Sequence, residues 1–257
     1  MPLGRRPAPP APAPPGGFAV VDVEATGRSP WRHRVVEVAV VLLDDTLGTE
    51  REFSTLIDPA GPVGPTHVHR ITQDQVVGAP RFREVAPALL ELLAGRVLVG
   101  HHVSCDRAFL EREFARIGVE LPAVPELCTM RLARGRLPDA GGYGLAACTA
   151  AAGLGWYPAH TALGDARATA ELLRHCVAVP PQPADPAERG AGRAGERVAD
   201  WRAPLREAAV LPWPRLDQDR AERSGGPVPQ IRREVPVGPL PPGTDHPRLP
   251  LRTAGGE

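Results

Sequence analysis

The chain contains no lysine: its 30 basic residues are all arginines, set against 30 acids, for a formal net charge of zero. That balance neither demands nor excludes a polyanionic partner, but every base present carries the planar fork that grips a phosphate bidentately. Aromatics are scarce at 4% of residues, too few for an extended stacking surface. No apolar run approaches the roughly 18 residues needed to span a bilayer, so neither a membrane-spanning helix nor a membrane partner is expected. Only four cysteines occur (Cys105, Cys128, Cys148 and Cys176), with no C-x-x-C pair. Their spacing argues against a zinc site or a disulfide framework and fits reduced thiols in a cytoplasm. The opening "MPLGRRPAPPAPAPPGG" has two arginines but no apolar segment after them, so it does not read as a secretory signal.

Proline, by contrast, is abundant and unevenly placed. It accounts for seven of the first 17 residues and 15 of the last 78. Residues 1–17 and 180–257 are therefore expected to be Pro-rich, mostly disordered tails. One stretch of the second tail, "VADWRAPLREAAVLPWPRL", carries Trp201 and Trp213; a solvated linker is the expectation there, with a short docked helix as the other reading. Residues 18–179 carry regular patterning and are expected to be the folded domain. Within it, runs rich in apolar residues predict strands at 18–24, 35–43 and 52–57, the first of the kind buried in mid-sheet, separated by "GRSP" and "DDTLG" turns. Helical spacing follows at 82–93, then a buried strand at 96–102, then helices at 106–117, 129–134, 143–152 and 164–176. The order β-β-β-α-β-α predicts an α/β fold with a mixed central sheet flanked by helices.

Two carboxylates interrupt the first strand. In "FAVVDVEATG", Asp22 and Glu24 stand two residues apart, so alternation points both to one face. Burying two like charges side by side costs several kcal/mol unless a positive group intervenes. Either this strand end is solvated or a cation belongs there. "VGHHVSCDRAFLEREF" places Asp106 where a buried strand turns into a helix, and "HTALGDARATAELL" places His160 five residues before Asp165, at the start of the last helix. Strand ends and helix starts are positions that can converge on one cleft.

These segments resemble the motifs of the DEDDh, or DnaQ-like, family of 3′→5′ exonucleases, which includes the proofreading epsilon subunit of bacterial DNA polymerase III and ribonuclease T. "VDVEATG" is similar to the family's D-x-E-x-T-G, "GHHVSCDRAFL" to H-N-x-x-F-D-x-x-F-L, and "HTALGDARATAELL" to H-x-A-x-x-D-A-x-A-T-A-x-L-L. "HVHRIT" stands where the family has H-G-I-T, with Arg70 in place of the glycine. The resemblance covers about 160 residues, from Phe18 to Cys176, and implies a ribonuclease H-like exonuclease fold. It further implies that Asp22, Glu24 and Asp165 hold one Mg²⁺ or Mn²⁺ ion, that Asp22 and Asp106 hold a second, and that His160 is the general base. Thr26, Gly27 and His101 are the implied substrate contacts. Hard oxygen donors suit such ions, and two of them would let Asp22 and Glu24 tolerate each other. His102 replaces the usual Asn and Cys105 the usual Phe. The first is expected to be a neutral exchange, the second a small buried hydrophobe without a redox role. His33, His67 and His175 lack ligand-spaced partners and are expected to be surface or core residues.

The function implied is metal-dependent removal of nucleoside monophosphates from a single-stranded 3′ end, DNA favoured over RNA. Backbone handling rather than base readout fits the low aromatic content. A catalytically silent binding module is the competing class, but Asp22, Glu24, Asp106, His160 and Asp165 are all present, which argues against it. No Q-x-x-L-F-type segment marks the C-terminal tail, so a free-standing exonuclease is expected, with docking of a DNA polymerase or another protein through that tail as the other reading.

Overall fold

The apolar runs in the first half of the domain become a meander of three antiparallel strands, β1 (Phe18–Ala25), β2 (Val35–Leu43) and β3 (Thr49–Leu56). The computed structural model describes residues 16–155, 157–180, 203–214 and 216. Residues 1–15, Trp201 and 217–257, all in the expected tails, lie outside the described residues. After the meander come α1 (Thr66–His69), a 3₁₀ turn at Gln73–Val76, α2 (Phe82–Leu93) and β4 (Val97–Gly100). Then follow α3 (Ser104–Arg116), β5 (Glu126–Cys128), α4 (Thr129–Arg134), α5 (Leu145–Ala151), α6 (Ala162–Ala178) and α7 (Ala203–Ala209). The strands assemble in the order β3-β2-β1-β4-β5, with β4 parallel to β1 and β5 parallel to β4. The sheet is therefore mixed, as expected. β5 was not legible: three residues hemmed by Pro122 and Pro125 are too short to show an alternation.

Each face of the sheet buries its own cluster. Ala19, Val21, Val38, Val40 and Leu42 pack with α2 and α3, through residues such as Val85, Leu89, Leu110 and Phe114. Phe18, Val20, Ala39, Val41 and Leu43 pack on the other side against Ala162, Ala166, Ala170 and Leu173 of α6. The small residues on that stripe let α6 lie close to the strands. Because period 2 is fixed, Asp22 and Glu24 continue the Phe18–Val20 side of β1, toward α6, whereas Val23 joins the other cluster. The site's orientation is thus decided by the core beneath it.

One expectation is corrected here. The tail segment around Trp213, expected to be a solvated linker, folds onto the domain. Leu205 and Ala208 of α7 are buried in the α6-side cluster, and Trp213 packs against the α2–α3 cluster. Apolar residues at 205 and 208 share a helix face, and burying that face outweighs the Pro-rich composition that argued for solvation.

Candidate active site

Strands β1 and β4 run parallel, so the chain leaves both at the same edge of the sheet. The end of β1 carries Asp22 and Glu24, and the exit from β4 leads into α3, whose first turn carries Asp106. Helix α6 brings its own first turn to the same place. Thr161 caps it, its Oγ1 accepting from the Gly164 N–H at 3.2 Å, and Asp165 follows. A side chain at Gly164 would press into the Pro158 carbonyl, so the close seating of the helix start requires glycine there. As a result, one carboxylate oxygen each from Asp22, Glu24 and Asp165 lies within 4.8 Å of the others. Asp106 sits beside them with one oxygen turned to the sheet, accepting from the Val23 N–H at 3.2 Å.

The electrostatic consequence is a set of carboxyls that resist ionising. Burial, then the charges of Asp106, Asp165, Glu24 and Glu37, pushes Asp22 well above the usual carboxylate range. Glu24 is raised to about 7 by burial and by Asp165, and Asp106 to about 7 by burial together with the charges of Glu24 and Asp165. Asp165 is raised by burial, partly offset by the His160 backbone N–H and side chain. Oxygen donors crowded in this way, with no arginine among them, form a fitting set for hard divalent cations. A carboxyl whose folded pKa lies above its unfolded value binds its proton more tightly when folded. Its stabilising contribution is complete below pH of about 4 and is lost as pH rises toward about 7. In chelator, the midpoint of thermal unfolding should therefore climb as pH falls from about 8 to about 5. Added Mg²⁺ or Mn²⁺ should raise it at the higher pH and do little at the lower, where protons already occupy the oxygens. A midpoint indifferent to both would contradict a repulsive cluster.

Two residues that sequence reasoning missed belong to this site. Glu37 on β2 is the cross-strand partner of Glu24, and its Oε2 accepts from the Ala162 N–H at 3.0 Å, tying the start of α6 to the sheet. Its signal was present: an acid interrupting the apolar strand "VVEVAVVLL", which the hairpin register sets opposite Glu24. Gln at this position keeps an acceptor for that N–H, and Ala does not. Both variants remove the charge, so E37A should be less stable than E37Q by about 1–3 kcal/mol, or roughly 2–4 °C per kcal/mol in thermal unfolding. Equal midpoints would show that the bond does not hold the helix. The other is Tyr157, whose hydroxyl is pushed up to about 12 by burial and by Asp165 and Asp22. Its loop offers no pattern from which that could be read.

The remaining sequence-derived residues divide by what they touch. His160 is exposed and takes φ of 61°, and it is its backbone N–H that donates to Asp165 Oδ2, at 3.2 Å. The imidazole is therefore not needed for that contact. His101 is half-buried with both ring nitrogens engaged, Nδ1 with Thr129 Oγ1 at 3.0 Å and Nε2 with the Tyr143 carbonyl at 2.8 Å. Thr26 accepts from the Arg34 N–H through Oγ1 at 3.0 Å, and Gly27 leaves room for the His33 ring. His33 in turn accepts from the Ser29 N–H through Nδ1 at 3.0 Å, inside the same loop. His102 stands at φ of 74°, a conformation in which Asn and His are both enriched, so the exchange of one for the other respects the backbone. Arg70 likewise takes φ of 61°, the left-handed region that glycine occupies most easily. Cys105 is a correction. It is exposed rather than buried, with Sγ 3.3 Å from His102 Nδ1. The buried stripe of α3 runs through Asp106, Phe109, Leu110, Glu113 and Phe114, and Cys105 falls off it.

Comparison with known proteins agrees with this geometry. The family model described as an exonuclease (RNase_T) matches residues 19–173. DNA polymerase III subunit epsilon of Aquifex aeolicus (strain VF5) is 34% identical over 161 residues, covering 62% of this chain and 79% of that protein. A PolC-type DNA polymerase III of Clostridium perfringens is 33% identical over 159 residues, and there the match spans 61% of this chain but 11% of the relative. Exonuclease X, solved in complex with 5′ overhanging duplex DNA, superposes with a TM-score of 0.52 at 28% identity, covering 63% of this chain and 91% of that one. Exonuclease I of E. coli, solved with a dT13 oligonucleotide, shares the fold at a TM-score of 0.55 and 17% identity, over 62% of this chain and 40% of that one. The mixed sheet with its flanking helices is thus the ribonuclease H-like exonuclease fold. The chain belongs to the DnaQ-like family of 3′–5′ exonucleases and is a hydrolytic exonuclease.

Proposed function

We propose that this exonuclease releases nucleoside monophosphates one at a time from the 3′ end of single-stranded nucleic acid, with DNA the preferred substrate. The observation that carries the reading is the convergence of Asp22, Glu24 and Asp165 oxygens within 4.8 Å. In this reading Asp22, Glu24 and Asp165 hold one divalent cation, Mg²⁺ or Mn²⁺, and Asp22 with Asp106 holds a second. Bound cations supply Lewis-acid stabilisation of the phosphoryl charge and ease deprotonation of the attacking water. The chain's own contributions are positional and acid–base. Asp22, electrostatically engaged with Asp106, Asp165 and Glu24, is the ligand this reading shares between the two halves of the site. His160, exposed on its left-handed turn beside Asp165, takes the proton from the attacking water on its imidazole nitrogen. Thr26 and Gly27 shape the turn against which the terminal nucleotide rests. His101 acts in substrate binding by fixing the Tyr143 segment against the end of β4.

The DNA preference is supported by the relatives, which are named as DNA polymerase III subunits, and by the DNA in the solved Exonuclease X complex. Association with a DNA polymerase through the C-terminal tail, and a cytoplasmic location, belong to the same proposal. Among the described residues no helix is long and apolar enough to cross a membrane. The test is a time course on matched single strands of DNA and RNA labelled at the 5′ end. A ladder shortening stepwise from the 3′ end, faster on DNA, is expected. Faster shortening of RNA would reassign the substrate, and internal or 5′-first cleavage would contradict the reading.

A further inference from the structure

We infer that Trp31, seated on Arg112, is a stacking platform for a nucleobase upstream of the 3′ end; the inference rests on the single-strand reading above. Trp31 lies in the loop that joins β1 to β2, a few residues beyond Thr26 and Gly27, and is 70% exposed. Among the described residues no other Phe, Tyr or Trp is exposed. One face of its ring is taken: the Arg112 guanidinium carbon stands 3.6 Å from the ring centroid. The buried Arg112 Nε has no hydrogen-bond partner, as expected of a guanidinium laid flat on an indole. The other face of the ring is open.

The loop is built to hold that ring still. One terminal nitrogen of Arg116 donates to the carbonyls of Pro30, Trp31 and His33 at 2.8, 3.3 and 3.1 Å. Within the loop, the Arg32 and His33 N–H groups donate to the Ser29 carbonyl, and the Ser29 N–H donates to His33 Nδ1. Beneath it, Glu113, only 1% exposed, accepts from Arg34 at 2.7 and 2.9 Å and from Arg116 at 3.1 Å, locking the loop to α3. A large apolar ring held rigidly in water has no packing rationale, whereas a rigid, half-covered indole binds a flat π-face at low entropic cost. Arg28 and Arg32 flank it, exposed and without a carboxylate partner among the described residues, where they can meet phosphates.

Position decides the occupant. Arg112 is six residues beyond Asp106 on α3, about 9 Å along the helix axis. That offset sets the ring apart from the acids themselves, on the side of the loop that follows Thr26 and Gly27. A base on Trp31 would thus belong to the strand feeding the site, not to the terminal nucleotide. The platform is indifferent to sequence, because every base has a π-face.

The test measures W31A and W31F against the wild-type chain in two ways. Anisotropy of a labelled single-stranded dT oligonucleotide of about 12 nucleotides, with Ca²⁺ present, reads binding without relying on turnover. Steady-state hydrolysis of the same strand and of a dinucleotide gives the ratio of their kcat/KM values. W31A should bind the long strand about 10-fold more weakly, the size of one lost base stack. Its long-to-short kcat/KM ratio should fall by a similar factor, while W31F retains most of both. Equal binding of the long strand by wild type and W31A would overturn the platform even if hydrolysis proceeds. Hydrolysis by neither variant nor wild type, with 10-fold weaker binding by W31A, would support the platform and count against the exonuclease assignment. A wild-type chain that binds no single strand would overturn the platform together with its premise.

Discussion

Asp22→Ala should lower the rate of 3′-end hydrolysis by about 10³-fold or more, with the fold intact. At about 1.4 kcal/mol per tenfold, that corresponds to the several kcal/mol of transition-state stabilisation that a shared cation ligand provides. Asp22 is the choice because it is electrostatically engaged with every other acid of the site: Asp106, Asp165, Glu24 and Glu37. The same crowding makes the variant interpretable. Removing a half-buried carboxyl whose ionisation its neighbours disfavour relieves repulsion, so metal-free D22A should unfold at the same temperature as wild type or higher. Lost activity with retained stability separates the chemistry from the scaffold. Activity within tenfold of wild type would contradict the assignment of Asp22 to the metal site. D22N, which keeps the shape and removes the charge, should behave like D22A in rate.

His160→Ala should reduce kcat by about 10² to 10⁴-fold, the range for loss of a general base, while leaving divalent-cation affinity near the wild-type value. The separation follows from the geometry: the contact to Asp165 comes from the His160 backbone N–H, which alanine keeps. The residue itself is exposed on its turn. Calorimetric titration with Mn²⁺ and single-turnover hydrolysis distinguish the two roles. A variant that loses cation binding along with activity would show that His160 holds the site together rather than moving a proton.

Much of the architecture was readable because it rests on periodicity. The apolar runs of β1 and β2 encode strands covered on both faces, the helical spacing of Val85, Leu89, Leu92 and Leu93 encodes one buried helix face, and the structure buries those residues. The acidic site was readable for a related reason: two residues on one strand face point together wherever that strand lies. What failed to show were features created only by assembly. Glu37 acquires its meaning from a hairpin register and from a helix 125 residues later. Glu113 looks like one more acid on a charged helix until Arg34 and Arg116 converge on it. Helix α7 depends on an apolar surface that exists only once α6 and the sheet have packed, and the seat of Trp213 on the one that α2, α3 and the sheet form on the other face. Cys105 was misjudged by comparing residue types at a motif position; the phase of α3, set by Phe109, Leu110 and Phe114, places it outside the buried stripe.

The most direct test of the central claim, that the acids of β1, α3 and α6 run a cation-dependent hydrolysis, is one chelation experiment. Wild-type protein is incubated with 5′-labelled single-stranded DNA in EDTA, then in excess Mg²⁺ or Mn²⁺, and the products are resolved at nucleotide resolution. The account predicts an intact strand in EDTA and a ladder receding from the 3′ end once cation is restored. Undiminished cleavage in EDTA, or an intact strand in both metals, would contradict it.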